Sequence, residues 1–349
     1  MDLKSDWLSQ VFTPDYVAEF MVKNIKKNYF RFKNIENLRN VKVLEPCAGK
    51  GIFLKYLLKE GFDNITAYEL DESLKPYLLN KFPKVKFKFE NFLGANPNEK
   101  FDIIIGNPPY LGQNYNAELF QKLVENYPVC QKYFVGNMDL FYFFIHMGII
   151  KLNPKALLSF ITTNYWITKS KKTGIKKLKP HIINDCFLLD YIDLSKLHIF
   201  KKATGQHNCI FTLLKKSKEE QKLKMDKTIK IVQIRNSNSN KKSNSLESVF
   251  NQILIENQNY NLLIYQSALS NNDLSKDNSW NLLFSRESAA ILQKIEKYCV
   301  FNNKVCYLKD YFIVRNGLIL IKDDIFILKE GKNIQVKGND IYIKIKDMF

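Results

Sequence analysis

Residues 101–110, FDIIIGNPPY, contain the side chains of this chain that are best suited to chemistry. An apolar run stops at a glycine and is followed by Asn107, Pro108, Pro109 and Tyr110. Both prolines lack a backbone N–H and have a fixed φ, so the turn presents hydrogen-bond acceptors without competing donors. The acceptors are the Asn107 side-chain oxygen and the Pro108 carbonyl, and Tyr110 adds a flat ring. This set suits a planar ligand with an exocyclic amino group, although Asn-Pro is also typical of a simple rigid turn.

An amino group on an aromatic ring is a poor nucleophile, because its lone pair is delocalised into the ring. Two acceptors aimed at its protons favour the pyramidal form, in which the lone pair can attack. They also stabilise the positive charge that develops on the nitrogen. The pattern at residues 107–110 therefore favours chemistry at such an amino group.

The apolar run of residues 103–105 is typical of an interior parallel strand, with the Asn-Pro-Pro-Tyr loop at its carboxyl end. Ligands of open α/β sheets bind beyond the carboxyl ends of the strands. A second strand is predicted at residues 41–45, followed by the turn PCAGKG and a helix with an apolar face. Strand, glycine turn and helix are typical of a dinucleotide-type cofactor site. The turn is not a P-loop, because no GK[ST] opens the helix.

The candidate cofactor residues follow these predicted strands. Glu45 ends the first strand, where its carboxylate suits a cationic amino group. Small residues in the turn let the backbone approach a ligand closely. Glu69 ends the strand at residues 65–70, about 20 residues after the turn, the spacing of an acid that binds ribose hydroxyls. Asp71 is an alternative residue for this ribose role. The other interpretation is that Glu69 is simply a solvated acid at the end of a strand. The predicted set is Glu45, Cys47, Ala48, Gly49, Gly51, Glu69 and Leu70.

The order of these motifs resembles that of the gamma group, of the Taq type, of S-adenosylmethionine-dependent DNA methyltransferases acting on adenine N6. The resemblance runs over about residues 11–214, with a weaker one after residue 304, and Asn-Pro-Pro-Tyr matches the catalytic motif. It implies an α/β fold, a Rossmann-like class I methyltransferase sheet with helices on both faces. It also implies S-adenosylmethionine as the cofactor and no metal. Asn-Pro-Pro-Tyr occurs as well in methyltransferases acting on protein glutamine, so the tetrapeptide alone leaves the substrate open.

The same resemblance implies roles for individual residues. Asn107, Pro108 and Tyr110 are the expected catalytic residues, and Asn107 also borders the cofactor. Tyr110 and Phe200 are expected to stack on the flipped target base. Because Phe200 precedes a lysine pair, its ring is expected to be exposed, and the alternative is that it anchors its loop. Thr13, which with the following proline is a good helix start, is expected to close the methionine end of the cofactor site.

Two further cofactor residues follow a predicted strand at residues 85–89. Asn91 stands where the family usually has an aspartate near the cofactor's adenine, and its amide oxygen still accepts from an amino group. Phe92 is either a flat wall for that adenine or a core residue.

Three segments are expected along the chain. Residues 1–214 form the catalytic domain and residues 215–245 a low-complexity linker that contains NSNSNKKSNS and an embedded strand. Residues 246–349 are expected to be a partial α+β target-recognition domain, because family members usually continue further. Its short strands are predicted at residues 311–314, 318–321 and 325–328.

Composition sets limits on partners and compartment. The net charge of +18 suits a polyanion, although only five of the 53 basic residues are arginine, as AT-rich coding would produce. The six cysteines are scattered, which favours a reducing compartment and argues against a zinc site. No run approaches the roughly 20 apolar residues of a membrane span. With no signal-peptide pattern at the N-terminus, a cytoplasmic protein without membrane contact is expected.

The sequence therefore predicts a site-specific methyltransferase acting on adenine N6 in double-stranded DNA, within a restriction-modification system. The motif order favours adenine over cytosine. A second copy, a separate recognition subunit and a cognate restriction endonuclease are the candidate partners. The alternatives are a protein-glutamine or RNA amino methyltransferase and a non-catalytic DNA-binding subunit that needs a partner.

Overall fold

Nine strands form one sheet in the order β3-β2-β1-β4-β5-β7-β6-β8-β9. The first five strands in this order are parallel, whereas β7 is antiparallel to both of its neighbours. Beyond them, β8 is parallel to β6, and β9 is antiparallel to β8. The strands are β1 Val43–Glu45, β2 Ile65–Tyr68, β3 Lys86–Lys88, β4 Phe101–Gly106, β5 Leu152–Thr163, β6 Cys186–Asp193, β7 Asn208–Lys215, β8 Thr228–Ile234 and β9 Leu262–Ser270.

The structure is a computed structural model. It describes residues 12–33, 37–168, 173–200, 207–234, 245–259, 261–275, 280–283 and 285–291, and the backbone of four short strands between residues 300 and 343. The chain divides into two units, Met1–Ala290 and Ile291–Phe349. In the second unit, Val300–Phe301 pairs with Lys304–Val305 and Ile334–Lys337 with Asp340–Ile343, both antiparallel. The strands predicted at residues 311–314, 318–321 and 325–328 lie outside the described residues.

Helices connect the strands and cover the sheet. They are α1 Asp15–Phe32, α2 Ile52–Lys59, α3 Lys75–Lys81, α4 Ala117–Asn126, α5 Pro128–Tyr133, α6 Leu140–Lys151, α7 Tyr165–Thr168, α8 Ile175–Asp185, α9 Lys218–Lys222 and α10 Leu246–Leu254. Short 3₁₀ turns lie at Leu38–Asn40, Glu72–Leu74, Phe92–Gly94, Gln113–Tyr115 and Asp273–Ser275. None of these described helices combines the length and the apolar character that crossing a bilayer requires.

The position of β4 is fixed by burial on both faces of the sheet. Ile104 belongs to the apolar cluster that includes residues of α4, α5 and α6, and Ile103 and Ile105 to the cluster that includes residues of α1 and α2. All three isoleucines are fully buried. Burying each one contributes about 1.5–3 kcal/mol. The predicted interior parallel strand is confirmed, and its carboxyl end cannot shift without exposing this run.

The sheet continues past residue 214, where the sequence placed the end of the catalytic domain. The strand expected inside the linker is β8, which lies between β6 and β9. Helix α10 also belongs to the first unit, since Phe250 packs 5.0 Å from the Phe20 ring of α1, measured between ring centroids. Residues 235–244, which hold most of the low-complexity run, lie outside the described residues. Strand β9 was not predicted, because the strand is only partly buried and its sequence is partly polar.

Candidate active site

The Asn-Pro-Pro-Tyr loop begins at the carboxyl end of β4, between β1 and β5. Pro108 is buried, whereas Asn107 and Tyr110 are half-buried. Gly106 lets this strand end approach the turn that follows β1, since a Cβ at Gly106 would lie 3.2 Å from Cδ of Pro46. The two loops that the sequence singled out therefore lie side by side at one edge of the sheet.

Two hydrogen bonds hold Asn107 from different parts of the chain. Its Nδ2 donates to Oγ1 of Thr13 over 3.0 Å, and Sγ of Cys47 donates to its main-chain carbonyl over 3.1 Å. Burial raises the pKa of the Cys47 thiol well above its ordinary value, and the charges of Glu45 and Glu69 raise it further. Cys47 is therefore a neutral donor rather than a thiolate. Because Nδ2 of Asn107 is engaged with Thr13, the amide oxygen Oδ1 faces the other way.

The glycine turn is shaped by left-handed backbone at Gly49 and Gly51, with φ of +53° and +76°. The Ala48 N–H donates to the Tyr68 carbonyl over 2.8 Å, which ties the turn to β2. A Cβ on Gly51 would lie 2.3 Å from the Phe82 ring, whereas a Cβ on Gly49 would meet no heavy atom within 4 Å. Gly51 is needed for packing, and Gly49 leaves an open surface against which a ligand can lie.

Two buried carboxyl groups lie beside this turn. Glu45 is fully buried, and neither of its oxygens has a hydrogen-bond partner among the described residues. Burial raises its pKa well above the ordinary value, and the charge of Glu69 adds to the effect. Glu69 accepts from the Gly49 N–H over 2.6 Å and the Asp71 N–H over 2.8 Å. An unpaired buried carboxyl costs about 1–3 kcal/mol, so Glu45 is a ready acceptor for a cationic group.

Tyr110 and Phe200 contact each other edge to face. Their ring centroids lie 6.5 Å apart with an interplanar angle of 74°, and the Tyr110 hydroxyl donates to the Ile161 carbonyl over 2.8 Å. Phe200 is 6% exposed, although an exposed ring was expected from its place before a lysine pair. It is buried because it packs against Tyr110 and the cluster on the α1 face. The two predicted stacking residues are thus together, but their rings are not parallel.

Asn91, Phe92 and Leu70 lie near the carboxyl ends of β2 and β3. Asn91 Oδ1 accepts from the Leu93 N–H over 3.0 Å, which caps a short 3₁₀ turn. Phe92 is 2% exposed and packs edge-on to Tyr68, with centroids 5.4 Å apart. Leu70 is half-buried and directly follows Glu69. Of the two interpretations given for Phe92, this position is that of a core residue.

Asn208 is a residue of this site that the sequence reasoning missed. It opens β7 opposite Thr163 and is 3% exposed, and its side chain lies beside the Tyr110 hydroxyl. The only signal in the sequence was one amide residue at the start of the apolar run NCIFTLL.

Residues 21–200, just over half of the chain, match the Eco57I restriction-modification methylase family. The chain belongs to this family. Type II methyltransferase M.HincII of Haemophilus influenzae is 28% identical over 202 residues, which are 57% of this chain and 35% of that relative. Ribosomal RNA small subunit methyltransferase A of Thermotoga maritima is 40% identical over 86 residues, 24% of this chain and 29% of that protein. The Eco57I-family chain thus matches about a third of the length of these relatives.

A solved structure supports the fold of this Eco57I-family chain. The type IIG restriction endonuclease BpuSI aligns with a TM-score of 0.55 at 14% sequence identity, covering 83% of this chain and 34% of that one. This likeness agrees with the predicted α/β class and the large sheet flanked by helices.

S-adenosylmethionine is the methyl donor that the family implies, and the residues present fit it. Glu45 is a buried acid with no donor among the described residues, as a site for the cationic α-amino group requires. Gly49 leaves open surface at the turn. Glu69 has lone pairs beyond the two that its backbone donors occupy, and these suit ribose hydroxyls.

Proposed function

We propose that this chain methylates the N6 amino group of adenine in DNA, as the modification component of a restriction-modification system. The observation that carries the proposal is the orientation of Asn107. Its Nδ2 is engaged by Thr13, so its Oδ1 is the atom presented on the opposite side, next to the Pro108 carbonyl in the chain. Two such acceptors hold both protons of an exocyclic amino group and stabilise the charge that develops on its nitrogen.

The remaining residues position the reactants. Glu45 would hold the cofactor's amino group, and Glu69 its ribose, while Thr13 and Cys47 fix the catalytic loop next to that cofactor. S-adenosylmethionine supplies an electrophilic methyl group on a sulfonium leaving group. Holding the amino nitrogen in line with that methyl group is the contribution of Asn107 and Pro108. Burial raises the pKa of Tyr110 well above its ordinary value, so its ring serves as a neutral surface for stacking.

A target base must leave the duplex to reach this site. In the proposal, Tyr110 and Phe200 turn from their edge-to-face contact to lie on the two faces of the extrahelical adenine. The net charge of +18 favours a nucleic acid substrate. Relatives such as M.HincII are type II methyltransferases, which supports DNA as that substrate. A separate recognition subunit, a second copy and a cognate endonuclease are the partners that a restriction-modification role would supply.

A second candidate is methylation of an amino group in RNA, which the ribosomal RNA methyltransferase relative favours over 86 residues. One experiment separates the two. The purified full chain is incubated with S-adenosylmethionine carrying a labelled methyl group and with duplex DNA, ribosomal RNA or protein in turn. Nucleoside and amino-acid analysis then identifies the product.

Label in N6-methyladenine of DNA supports the proposal. Label in RNA, in protein glutamine or in cytosine contradicts it. If the pure chain transfers no methyl group, the activity requires a partner. The same assay is then repeated with the partner added, and it identifies which base is methylated.

A further inference from the structure

Asn208 lies at the same edge of the sheet as the catalytic loop, because β7 runs antiparallel to β5 and begins where β5 ends. Its side chain shares a face of the sheet with that of Ile210, two residues further along the strand. Ile210 and Phe200 belong to the same apolar cluster. Asn208 is therefore on the side of the sheet where Phe200 closes over Tyr110.

The Asn208 amide nitrogen is a buried donor without an aligned acceptor. The residue is 3% exposed, and Nδ2 has no hydrogen-bond partner within the described part of the chain. Its contact with the Tyr110 oxygen is too poorly aligned to count as a hydrogen bond, although it lowers the pKa of Tyr110 slightly against the larger effect of burial. The Tyr110 hydroxyl itself donates to the Ile161 carbonyl. Buried donors in folded proteins are nearly always well paired, so a poorly paired one next to a proposed substrate site points to a ligand acceptor.

The chemistry of the nucleobases limits which ligand atom can be the acceptor. In adenine, the ring nitrogen N1 next to the amino-bearing carbon is an acceptor, whereas the corresponding N1 of guanine carries a proton and donates. Enzymes that act on flipped bases read this edge by hydrogen bonds. A donor at the hydroxyl end of Tyr110 is placed to meet the edge of a base that lies on the Tyr110 ring.

We propose that Asn208 is a specificity-determining residue that donates from Nδ2 to N1 of the extrahelical adenine. This inference rests on the proposed function, since it assigns the edge of the base that the same site recognises. Asn208 would thus hold the ring of the base while Asn107 and Pro108 hold its amino group. A base that presents a proton at this position would leave two donors facing each other.

The test is a double-mutant cycle in which one change is made in the protein and the other in the target base. Single-turnover methylation is measured for the wild type and Asn208→Ala on DNA that carries adenine, 1-deazaadenine or 7-deazaadenine at the target position. For the wild type, 1-deazaadenine should react about tenfold more slowly than 7-deazaadenine, the size expected for one hydrogen bond. Asn208→Ala should lose a similar factor on adenine and show no further loss on 1-deazaadenine relative to 7-deazaadenine.

Asn208→Asp is the second variant, because it keeps the shape and replaces the donor by an acceptor. It should be slower than Asn208→Ala on adenine and should bind S-adenosylmethionine as the wild type does, which also reports that it folds. The inference is overturned if 1-deazaadenine slows methylation relative to 7-deazaadenine by the same factor in the wild type and in Asn208→Ala. It is also overturned if both variants methylate adenine at the wild-type rate. No methylation of any adenine by the wild type, either alone or with its partner added, would instead overturn the proposed function and this inference with it.

Discussion

The Asn107 side-chain nitrogen donates a 3.0 Å hydrogen bond to the Thr13 hydroxyl, although 94 residues separate the two in the chain. Thr13 precedes α1, and Asn107 follows β4, so the bond joins the segment before the first described helix to an interior strand of the sheet. Its consequence is chemical, because it decides which end of the Asn107 amide faces away from Thr13.

Replacement of Thr13 by valine removes the hydroxyl and keeps the shape of the side chain. The Asn107 amide then loses its partner and can rotate, so the methyl-transfer rate should fall about 10- to 100-fold. Thr13→Ser keeps the hydroxyl and should retain most of the rate. Single-turnover kinetics and cofactor titration would measure both, and an equal loss in the serine variant would show that the hydroxyl is not what matters.

Glu45→Gln tests the buried acid by pH. Because the pKa of Glu45 is raised in the folded state, the folded chain holds this proton more tightly than the unfolded chain. The contribution that this bound proton makes to the stability of the wild type is therefore lost as pH rises from the ordinary pKa of 4.5 towards the folded pKa. Urea unfolding at pH 5 and pH 8 should show Glu45→Gln gaining stability relative to the wild type at the higher pH, by about 1–3 kcal/mol.

The same variant should bind the cofactor more weakly. Loss of the charge removes a charged hydrogen bond, so affinity for S-adenosylmethionine should fall about 10- to 100-fold. Isothermal titration gives this value directly. A glutamine variant that binds the cofactor as tightly as the wild type would remove Glu45 from the cofactor site.

The two glycines of the turn should respond differently to alanine. Gly51→Ala should lower stability by more than the about 1–2 kcal/mol of left-handed strain, since its Cβ meets the Phe82 ring. Gly49→Ala should cost only that strain but should weaken cofactor binding, because its Cβ enters open surface. Gly61→Ala is the matched control, as Gly61 also has positive φ and open space around its Cβ. Similar cofactor affinity in the Gly49 and Gly61 variants would contradict the assignment.

Phe200→Leu keeps most of the buried volume and removes the flat ring. If Phe200 stacks on the base, kcat/KM for DNA should fall about 5- to 100-fold while cofactor affinity stays unchanged. Phe250→Leu is the control, since Phe250 is buried in the same cluster and lies on α10. Thermal melting compares the cost of each change to the fold, and equal kinetics in the two variants would reduce Phe200 to a packing residue.

The sequence predicted the parallel strands well because each is a short apolar run that ends in a turn. Strand β4 and the glycine turn after β1 were found for this reason. Strand β9 was missed, since a partly buried strand with polar positions carries a weak pattern. The predicted end of the catalytic domain near residue 214 was based on the low-complexity segment that follows it. Low complexity reports amino-acid composition and does not show where strand pairing ends.

The site could be predicted only in part. Glu45 and Glu69 were predicted from their positions at strand ends. The sequence alone does not reveal that Glu45 lacks a hydrogen-bond partner among the described residues, or that Gly49 and Asp71 donate to Glu69. Burial of Phe200 depends on its contact with Tyr110, 90 residues away in sequence. Asn208 carried no motif, because its significance lies in the side chains that surround it.

The central claim is that Asn107 acts on the target amino group and not on the fold or the cofactor. The most direct measurement is single-turnover methyl transfer to adenine-containing DNA by Asn107→Ala, with cofactor affinity measured on the same preparation. We expect the rate to fall by about 100- to 1000-fold while S-adenosylmethionine binds within a few-fold of the wild type. A wild-type rate, or loss of cofactor binding together with transfer, would contradict the account.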